Sequence, residues 1–440
     1  MVSRQSYKLT KVGEIPINWD VQNLEEISED IFVGIATSTT EHYRQLGVPI
    51  LRNQNIKEDK LDTKELLYIS EEFSEKNKNK KLLAGDVIIV RTGYPGVSCV
   101  VPESYEGAQT FTTLVTRPIK TIIHPYFLSR YINSETGKKF VLSGQAGGAQ
   151  KNLNVSVLKK LVVPVPPINE QVKINEILSS VDDAIGKTEF IIEQTEKVKK
   201  GLMQQLLTKG IGHTKFKKTK IGEIPEAWNI GQLDNLTKAG VPVLKTGPFG
   251  SSLKSEHFTN QGIPVINIAN LLENGLDTDN LFYVSKEKAD ELRGYQVQEG
   301  DVLFSRVADI GRSVVVPESA NGWIMSSNLM RIRIDSNKVL PEYLYFQIVY
   351  GTYVLRQLKS SISDAGRPVV NSKVLNSLNF PIPSLEEQEE IVNTLLSLNK
   401  KIQHENNKME IQLILKNGLM QSILTGKVRV KVDEAEVTQV

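Results

Sequence analysis

Among its 440 residues the chain has one cysteine, Cys99. An internal disulfide is excluded, and a reducing, cytoplasmic setting is the expectation. Five histidines are scattered without metal-ligand spacing, and no CxxC pair accompanies them. His42 and His257 read as surface or hydrogen-bonding residues rather than ligands. No run approaches 18 uninterrupted apolar residues, and the Met1 end has no apolar stretch of secretory length, so neither a membrane span nor a leader is expected. Charge of one sign is also lacking. The formal net charge of +2 neither demands nor forbids nucleic acid, because a near-neutral protein can carry a local basic stripe. Catalytic signatures are missing: there is no HExxH, GxSxG or strand-linked GxGxxG. Gly186-Lys187-Thr188 matches the end of a phosphate loop, but Val181 stands where its upstream glycine must be. No amino-methyltransferase loop of the Asn/Asp-Pro-Pro-aromatic kind occurs, and no clustered nuclease carboxylates. What remains, 40% apolar and 24% charged, is an ordinary globular composition with room for two or three cores.

In place of such motifs the chain repeats itself. VGEIPINW (Val12–Trp19) returns as IGEIPEAW (Ile221–Trp228), 209 residues on. GVPIL (Gly47–Leu51) returns as GIPVI (Gly262–Ile266), and Leu82–Glu103 returns as Val297–Glu318, both 215 residues on. LVVPVPPINEQ (Leu161–Gln171) returns as LNFPIPSLEEQ (Leu378–Gln388), and KGLMQQLLT (Lys200–Thr208) as NGLMQSILT (Asn417–Thr425), both 217 residues on. Ordered blocks at a drifting offset mean a duplicated unit. The drift puts six extra residues into the second copy between its first two anchors, so one frame carries two different inserts. That pattern suits a protein that reads two different things.

Each copy opens with short β-rich runs punctuated by Gly, Pro and Asn. In the first copy they are Val48–Leu51, Val87–Val90, Val97–Val101 and Leu161–Val165; in the second, Val265–Ile268, Val302–Phe304 and Val314–Val316. A helical segment intervenes in each, His124–Ser134 and Leu340–Val349. The reading is a mixed α/β (α+β) domain of roughly 160 residues. Gly85-Asp86 and Gly300-Asp301 read as turns into strands, and Trp19 and Trp228 as core.

Each copy closes with a long helix, opened by Pro166-Pro167 and Glu170, and by Pro383-Ser384 and Glu386-Glu387. Ile174, Leu178, Val181, Ile185, Thr188, Ile192, Thr195, Lys199, Leu202 and Leu206 repeat at heptad spacing. So do Ile391, Leu395, Leu398, Ile402, Glu405, Met409, Gln412, Lys416, Leu419 and Ile423. The polar breaks fall at the same three places. This is a two-helix coiled-coil seam, the alternative being two amphipathic helices that each pack on their own domain. A helix of about 38 residues spans on the order of 57 Å. Copies related by an intramolecular pseudo-twofold require the two helices to run antiparallel, which predicts a spacer with a similar module for each end. The lysines after the first helix (Lys209, Lys215, Lys217, Lys218, Lys220) fall in a Gly-containing linker, either a solvated connector or a phosphate contact.

GEIPxxW opening a β-rich domain, PxPxxxEQ entering a long helix and GLMQxLLT closing it, all twice, resemble the specificity subunit of type I DNA restriction–modification systems over essentially the whole chain. The resemblance implies two target-recognition domains, each reading half of a bipartite DNA site, and two helical regions forming an antiparallel spacer. The implied bounds are residues 1–167 and 213–383 for the domains, 168–212 and 384–430 for the helical regions, and a polar tail at 431–440. It implies no catalysis and no cofactor in this chain. The partners implied are double-stranded DNA, two modification (methyltransferase) subunits that use S-adenosylmethionine on adenine N6, and two restriction subunits that use ATP and Mg; no membrane is involved. Two rivals stand beside this reading: a duplicated protein–protein adaptor without sequence-selective DNA binding, and an enzyme with an unrecognised site.

Base readers should be polar residues in segments that differ between copies, since the major groove gives each base pair its own donor–acceptor pattern. In the first domain these are Thr37–Arg44 with Arg44, then Arg52, Gln54, Asn55, Thr92, Tyr94, and the Gly-rich stretch 144–152 with Gln145, Gln150 and Lys151. In the second they are Lys245–Lys254 with Lys245, Ser251, Ser252 and Lys254, then Asn267, Asn270, Arg306, Arg312, Asn328 and Arg367. Arg91 and Arg306 hold equivalent positions at a strand end, where a phosphate contact fits as well as base reading.

Overall fold

Val87-Ile88-Ile89 is a run that the period-two geometry of a strand divides between two faces. The computed structural model of the chain describes residues 6–144, 152–273, 275–307, 309–361 and 369–432, and it shows that division. Val87 and Ile89 enter a core with Trp19, Phe127 and Leu161, whereas Ile88 enters another with Leu51, Cys99 and Val115. The strand belongs to a four-stranded antiparallel sheet in the order Ser28–Val33, Leu114–Pro118, Val87–Ile89, Ser98–Val100. A second sheet runs Gln109–Thr110, Val48–Leu51, Leu67–Ile69, Tyr43–Arg44, its first pair parallel and the others antiparallel.

The second copy repeats both sheets strand for strand. Its antiparallel sheet is Leu244–Thr246, Leu329–Ile332, Val302–Ser305, Ser313–Val315, and its mixed sheet is Ile324–Met325, Ile263–Ile266, Phe282–Val284, Phe258–Thr259. Val302 and Phe304 face one core and Leu303 the other. The predicted helical segments form as Pro125–Asn133 and Pro341–Tyr350, each with proline in its first turn. Each is followed at once by a helix that periodicity did not reveal, Glu135–Ser143 and Thr352–Ser361. Most runs form within a residue or two of expectation, and two readings change more. The strand placed at Val265–Ile268 ends at Ile266, because Ile268–Asn270 turns into a 3-10 helix. The lysine-rich stretch is not a loose connector either: Lys217 and Lys218 lie in a strand, Phe216–Thr219, that pairs with Gly222–Pro225 of the second GEIPxxW block.

The two long helices run Ile168–Lys209 and Leu385–Ile423. Every seam position named above is buried or half-buried. The buried Thr188 and Thr195 hydroxyls donate to the carbonyls of Ala184 and Ile191, which is how a polar residue tolerates a seam. The chain forms two compact units: residues Met1–Glu189 with Lys408–Val440, and Phe190–Asn407. Each unit therefore holds one β-rich domain, the start of that domain's own helix and the end of the other copy's helix. In the first unit Ile174 and Leu178 share a core with Met420, Ile423 and Leu424. In the second, Met203, Leu206 and Leu207 share one with Ile391, Val392 and Leu395. Glu170 meets Arg429 while Asp182 meets Lys416, so the two segments of the first unit run antiparallel. At about 2 kcal/mol for each fully buried side chain, three such residues hold a helix end firmly. The unit pattern excludes helices that each pack solely on their own domain.

The paired motifs now have a physical reason. Trp19 is fully buried, and its indole N–H donates to Oε2 of Glu170 at 3.0 Å; Trp228 donates to Oε2 of Glu387 at 2.9 Å. The neighbouring glutamines serve the short helices. Gln171 accepts from the His124 N–H at 2.7 Å and donates to the carbonyls of Ile122 and Pro166. Gln388 does the same for Leu340, Lys338 and Pro383. The end of the opposite helix closes each site. Arg429 grips Glu170 through Nε and Nη2 at 2.7 and 2.8 Å, and the Ile211 N–H and His213 reach Glu387 at 3.0 and 2.9 Å. Glycine is obligatory at these two ends: Gly210 and Gly426 have φ of +66° and +71°, and a β-carbon would collide with Glu387 and Trp228 at the first and with Pro16 at the second.

Removing the carboxylate leaves a buried indole N–H unsatisfied. Glu170→Ala should cost about 3 kcal/mol, because Arg429 also loses its carboxylate, and Glu387→Ala about 2 kcal/mol. Urea unfolding followed by tryptophan fluorescence checks both; losses below about 0.5 kcal/mol would contradict the role given to these bonds.

Candidate nucleic-acid interface

The turn after the strand Val48–Leu51 carries Arg52, Asn53 and Gln54, and the turn after Val87–Ile89 carries Arg91, Thr92 and Tyr94. The structure brings these turns together. Asn53 donates to Oγ1 of Thr92 at 2.9 Å, and the Tyr94 hydroxyl donates to the Asn53 carbonyl at 2.8 Å. The Leu153 N–H bonds to the Arg91 carbonyl, so the segment that follows the Gly-rich stretch returns to the same place. Gln145, Gln150 and Lys151 themselves lie outside the described residues, as does Arg367 of the second domain.

The second domain assembles the same way. Gly247 N–H bonds to the Leu329 carbonyl, Ser326 N–H to Ile266, Arg306 N–H to Asn328, and Val370 N–H to Arg306. This backbone chain gathers Lys245, Asn267, Arg306 and Asn328 around the segment returning at Val369. Arg312 sits across the same turn, 3.5 Å from Asp309. The Lys245 ammonium lies 4.9 Å above the Tyr295 ring. Asn267 is half-buried and uses its carbonyl oxygen to accept from the Ala269 N–H, leaving its amide N–H groups free of that bond.

Arg52, Arg91 and Arg306 share one trait: the Nε of each is buried and makes no hydrogen bond. Arg52 also donates from Nη2 to the Glu65 carbonyl at 3.3 Å. Among side chains a guanidinium matches a phosphate or a guanine edge best, through paired N–H groups. Gln54, Tyr94 and Asn328 are exposed beside them.

Some candidates fall elsewhere. Asn55 is a correction. It is only 2% exposed, accepting from the Arg52 N–H and donating to the Asp62 carbonyl, so its amide builds the turn and cannot meet a base. Asn270, 1% exposed, does the same for Asn267 and Asn280. Arg44 folds back onto the carbonyls of Glu41 and Tyr43 in the edge strand of the mixed sheet. Lys254 pairs with Glu256 at 3.4 Å, while Ser251 and Ser252 lie in the preceding turn. His42 stacks on Phe73 and His257 accepts from the Lys254 N–H, both local roles. Asp86 and Asp301 hold Arg117 and Arg333 in two-point salt bridges, which confirms those turns as frame.

Sequence reasoning passed over Asn53, which sits between two named residues, and favoured Lys245–Lys254 for its polar residues without singling out Phe249. The latter is 81% exposed between Pro248 and Gly250. A bare aromatic ring on a loop can stack on a base or wedge a base step; its exposure, not its type, is the signal. For chemistry the chain offers little. Cys99 is buried, and burial pushes its thiol up to about 12, so it is no nucleophile at neutral pH. Among the described residues no cluster of His, Cys, Asp and Glu could hold a metal ion, and no helix is long and apolar enough to cross a membrane.

Comparison with known proteins decides what this paired surface belongs to. A model of the type I restriction modification DNA specificity domain matches residues 16–197 and again 225–413. The chain belongs to that family. It is a type I specificity subunit with two target-recognition domains, one per copy. Its relatives include a putative type I restriction enzyme MjaX specificity subunit from Methanocaldococcus jannaschii, 29% identical with 97% of each chain covered. The EcoKI specificity subunit of Escherichia coli K12 is 21% identical over 95% of this chain and 90% of its own. The solved type I S subunit from M. genitalium shares the fold at a TM-score of 0.55 and 14% identity, covering 97% of this chain and 99% of that one. No finding favours the adaptor.

The equivalent arginines Arg91 and Arg306 of the specificity subunit yield a test. Arg91→Ala and Arg306→Ala should weaken cognate and non-cognate DNA alike, each reducing the log–log salt slope of binding by about one. Loss of selectivity at a single base pair with an unchanged slope would instead make them base readers.

Proposed function

We propose that this specificity subunit reads an asymmetric, bipartite site on duplex DNA, each domain taking one half through the paired turns described above. The observation that carries this reading is one frame holding two different inserts: Thr37–Arg44 in one copy, Lys245–Lys254 in the other. Equivalent frames dock on the duplex in equivalent ways, while unlike inserts present unlike donors and acceptors, so the halves differ. The helices set the separation of the half-sites. They also carry two modification subunits, which supply S-adenosylmethionine and methylate adenine N6. Restriction subunits that use ATP and Mg join that core, and the whole acts in the cytoplasm. The chain itself performs no reaction. The target adenine lies inside the base stack, so the methyltransferase must flip it out while the specificity subunit holds the register.

Co-expression with the neighbouring methyltransferase gene, followed by mapping of N6-methyladenine across a host genome, tests this. The expected result is one asymmetric motif in two parts with a fixed gap. Deleting one heptad from both helices keeps their pairing and shortens them by about 10 Å, which should contract the gap by about three base pairs or abolish methylation. An unchanged gap would refute the spacer role.

A further inference from the structure

A cation on a coiled-coil seam costs stability, yet both helices place one at the same register, Lys199 and Lys416. Each reaches the domain of the unit in which it is buried. Lys416 sets Nζ 2.8 Å from Asp182 and 3.8 Å from Asp59, with its side chain only 14% exposed. Asp59 lies in the turn of the hairpin Ile56–Lys57 and Lys60–Leu61, at a φ of +58°. Its Oδ1 accepts from Ser129 and Asn133, while Oδ2 has no hydrogen bond. Burial raises this carboxyl above its usual range, against the opposing pull of Arg130 and Lys416. Arg130 completes the cluster. It lies 2.8 Å from Asp182 and 3.9 Å from Asp59, and it donates to Asn175 and Ser179 of the first helix.

The second unit has the same device in different side chains. Lys199 sets Nζ 3.1 Å from Oε1 of Glu273, in the turn of the equivalent hairpin Leu271–Leu272 and Gly275–Leu276. Tyr350 donates to the same oxygen at 2.8 Å, and Tyr345 donates to the Glu273 carbonyl at 3.0 Å. The Tyr350 hydrogen bond and then Lys199 hold the Glu273 carboxyl below its usual range.

Both hairpins continue directly from the candidate reading turns. Arg52–Gln54 lead through Asn55 into the first, and Asn267 leads through Asn270 into the second; the two buried asparagines bond each turn to its hairpin. Lys199 thus bonds its hairpin directly, while Lys416 bonds Asp182 of the first helix and faces Asp59 of its hairpin across 3.8 Å; each hairpin continues from its turn. We propose that Lys199 and Lys416 are positioning residues that hold each reading turn in register with the spacer, each governing the fidelity of one half-site. Each lysine belongs to the helix of the copy opposite to the domain it positions, so half-site fidelity depends on both halves of the chain.

The inference rests on the bipartite-recognition reading and is tested in the co-expressed complex by mapping N6-methyladenine for Lys199→Met, Lys416→Met, the two Lys→Arg variants and Glu273→Gln. Lys199→Met and Lys416→Met should each raise methylation about tenfold at sites with one mismatch. The two should relax different half-sites, with arginine restoring discrimination. Glu273 is largely exposed at its side chain, so Glu273→Gln tests the same contact without burying a change; it should reproduce Lys199→Met, and the double variant should add nothing. Wild-type specificity in both methionine variants, or relaxation of both half-sites in each, would overturn the proposal. A wild-type chain that directs no bipartite methylation would instead overturn the recognition reading itself.

Discussion

Two indole N–H groups buried in separate cores need acceptors, and each finds a carboxylate at the start of a long helix, 151 residues away for Trp19 and 159 for Trp228. A buried carboxylate is costly unless it is paired and hydrogen-bonded. Glu170 meets that demand with Arg429, and Glu387 with His213 and the Ile211 N–H. Those partners come from the end of the opposite helix. The hydrogen bond that fastens a helix to its own domain thus stays satisfied only while the other helix is docked. Everything placed on the domain, including the paired turns with their arginines, inherits its position from this junction.

The same logic makes the duplication more than a doubling of parts. Neither copy is closed by its own residues: Met420, Ile423 and Leu424 complete the first core, and Met203, Leu206 and Leu207 the second. A chain built this way keeps its frame residues alike in both copies, because each serves an equivalent junction. Inserts remain free to diverge, because the junction does not touch them. Specificity can then change in one half without loosening the other.

Much of this was legible in the sequence, and what was not had a physical cause. Block repetition foretold matching domains because identical frames fold identically; the sheets agree strand for strand. The heptads foretold the helices, since periodicity is local. Trp19 and Glu170 were recognisable as motif residues, but a bond across 151 residues leaves no local trace. Asn55 misled because a polar residue in a turn beside arginine looks like a reader; only its burial and its bond to Asp62 reveal a frame residue. Lys199 and Lys416 read as flaws in a seam, and the hairpin carboxylates they face, Glu273 and Asp59, lie on strands too short to show in the sequence. Phe249 was hidden for the opposite reason: composition cannot separate a core phenylalanine from a bare one.

The exchange of helix ends is best tested at the tryptophans themselves, by hydrogen exchange of the three resolved indole N–H signals in chains with and without residues 426–440. Loss of Gly426 and Arg429 should speed exchange at Trp19 by about tenfold or more, in keeping with the loss of a buried charge-assisted partner, and leave Trp228 unchanged. Faster exchange at Trp228 with Trp19 still protected would mean that each helix closes its own copy, and the account would fail.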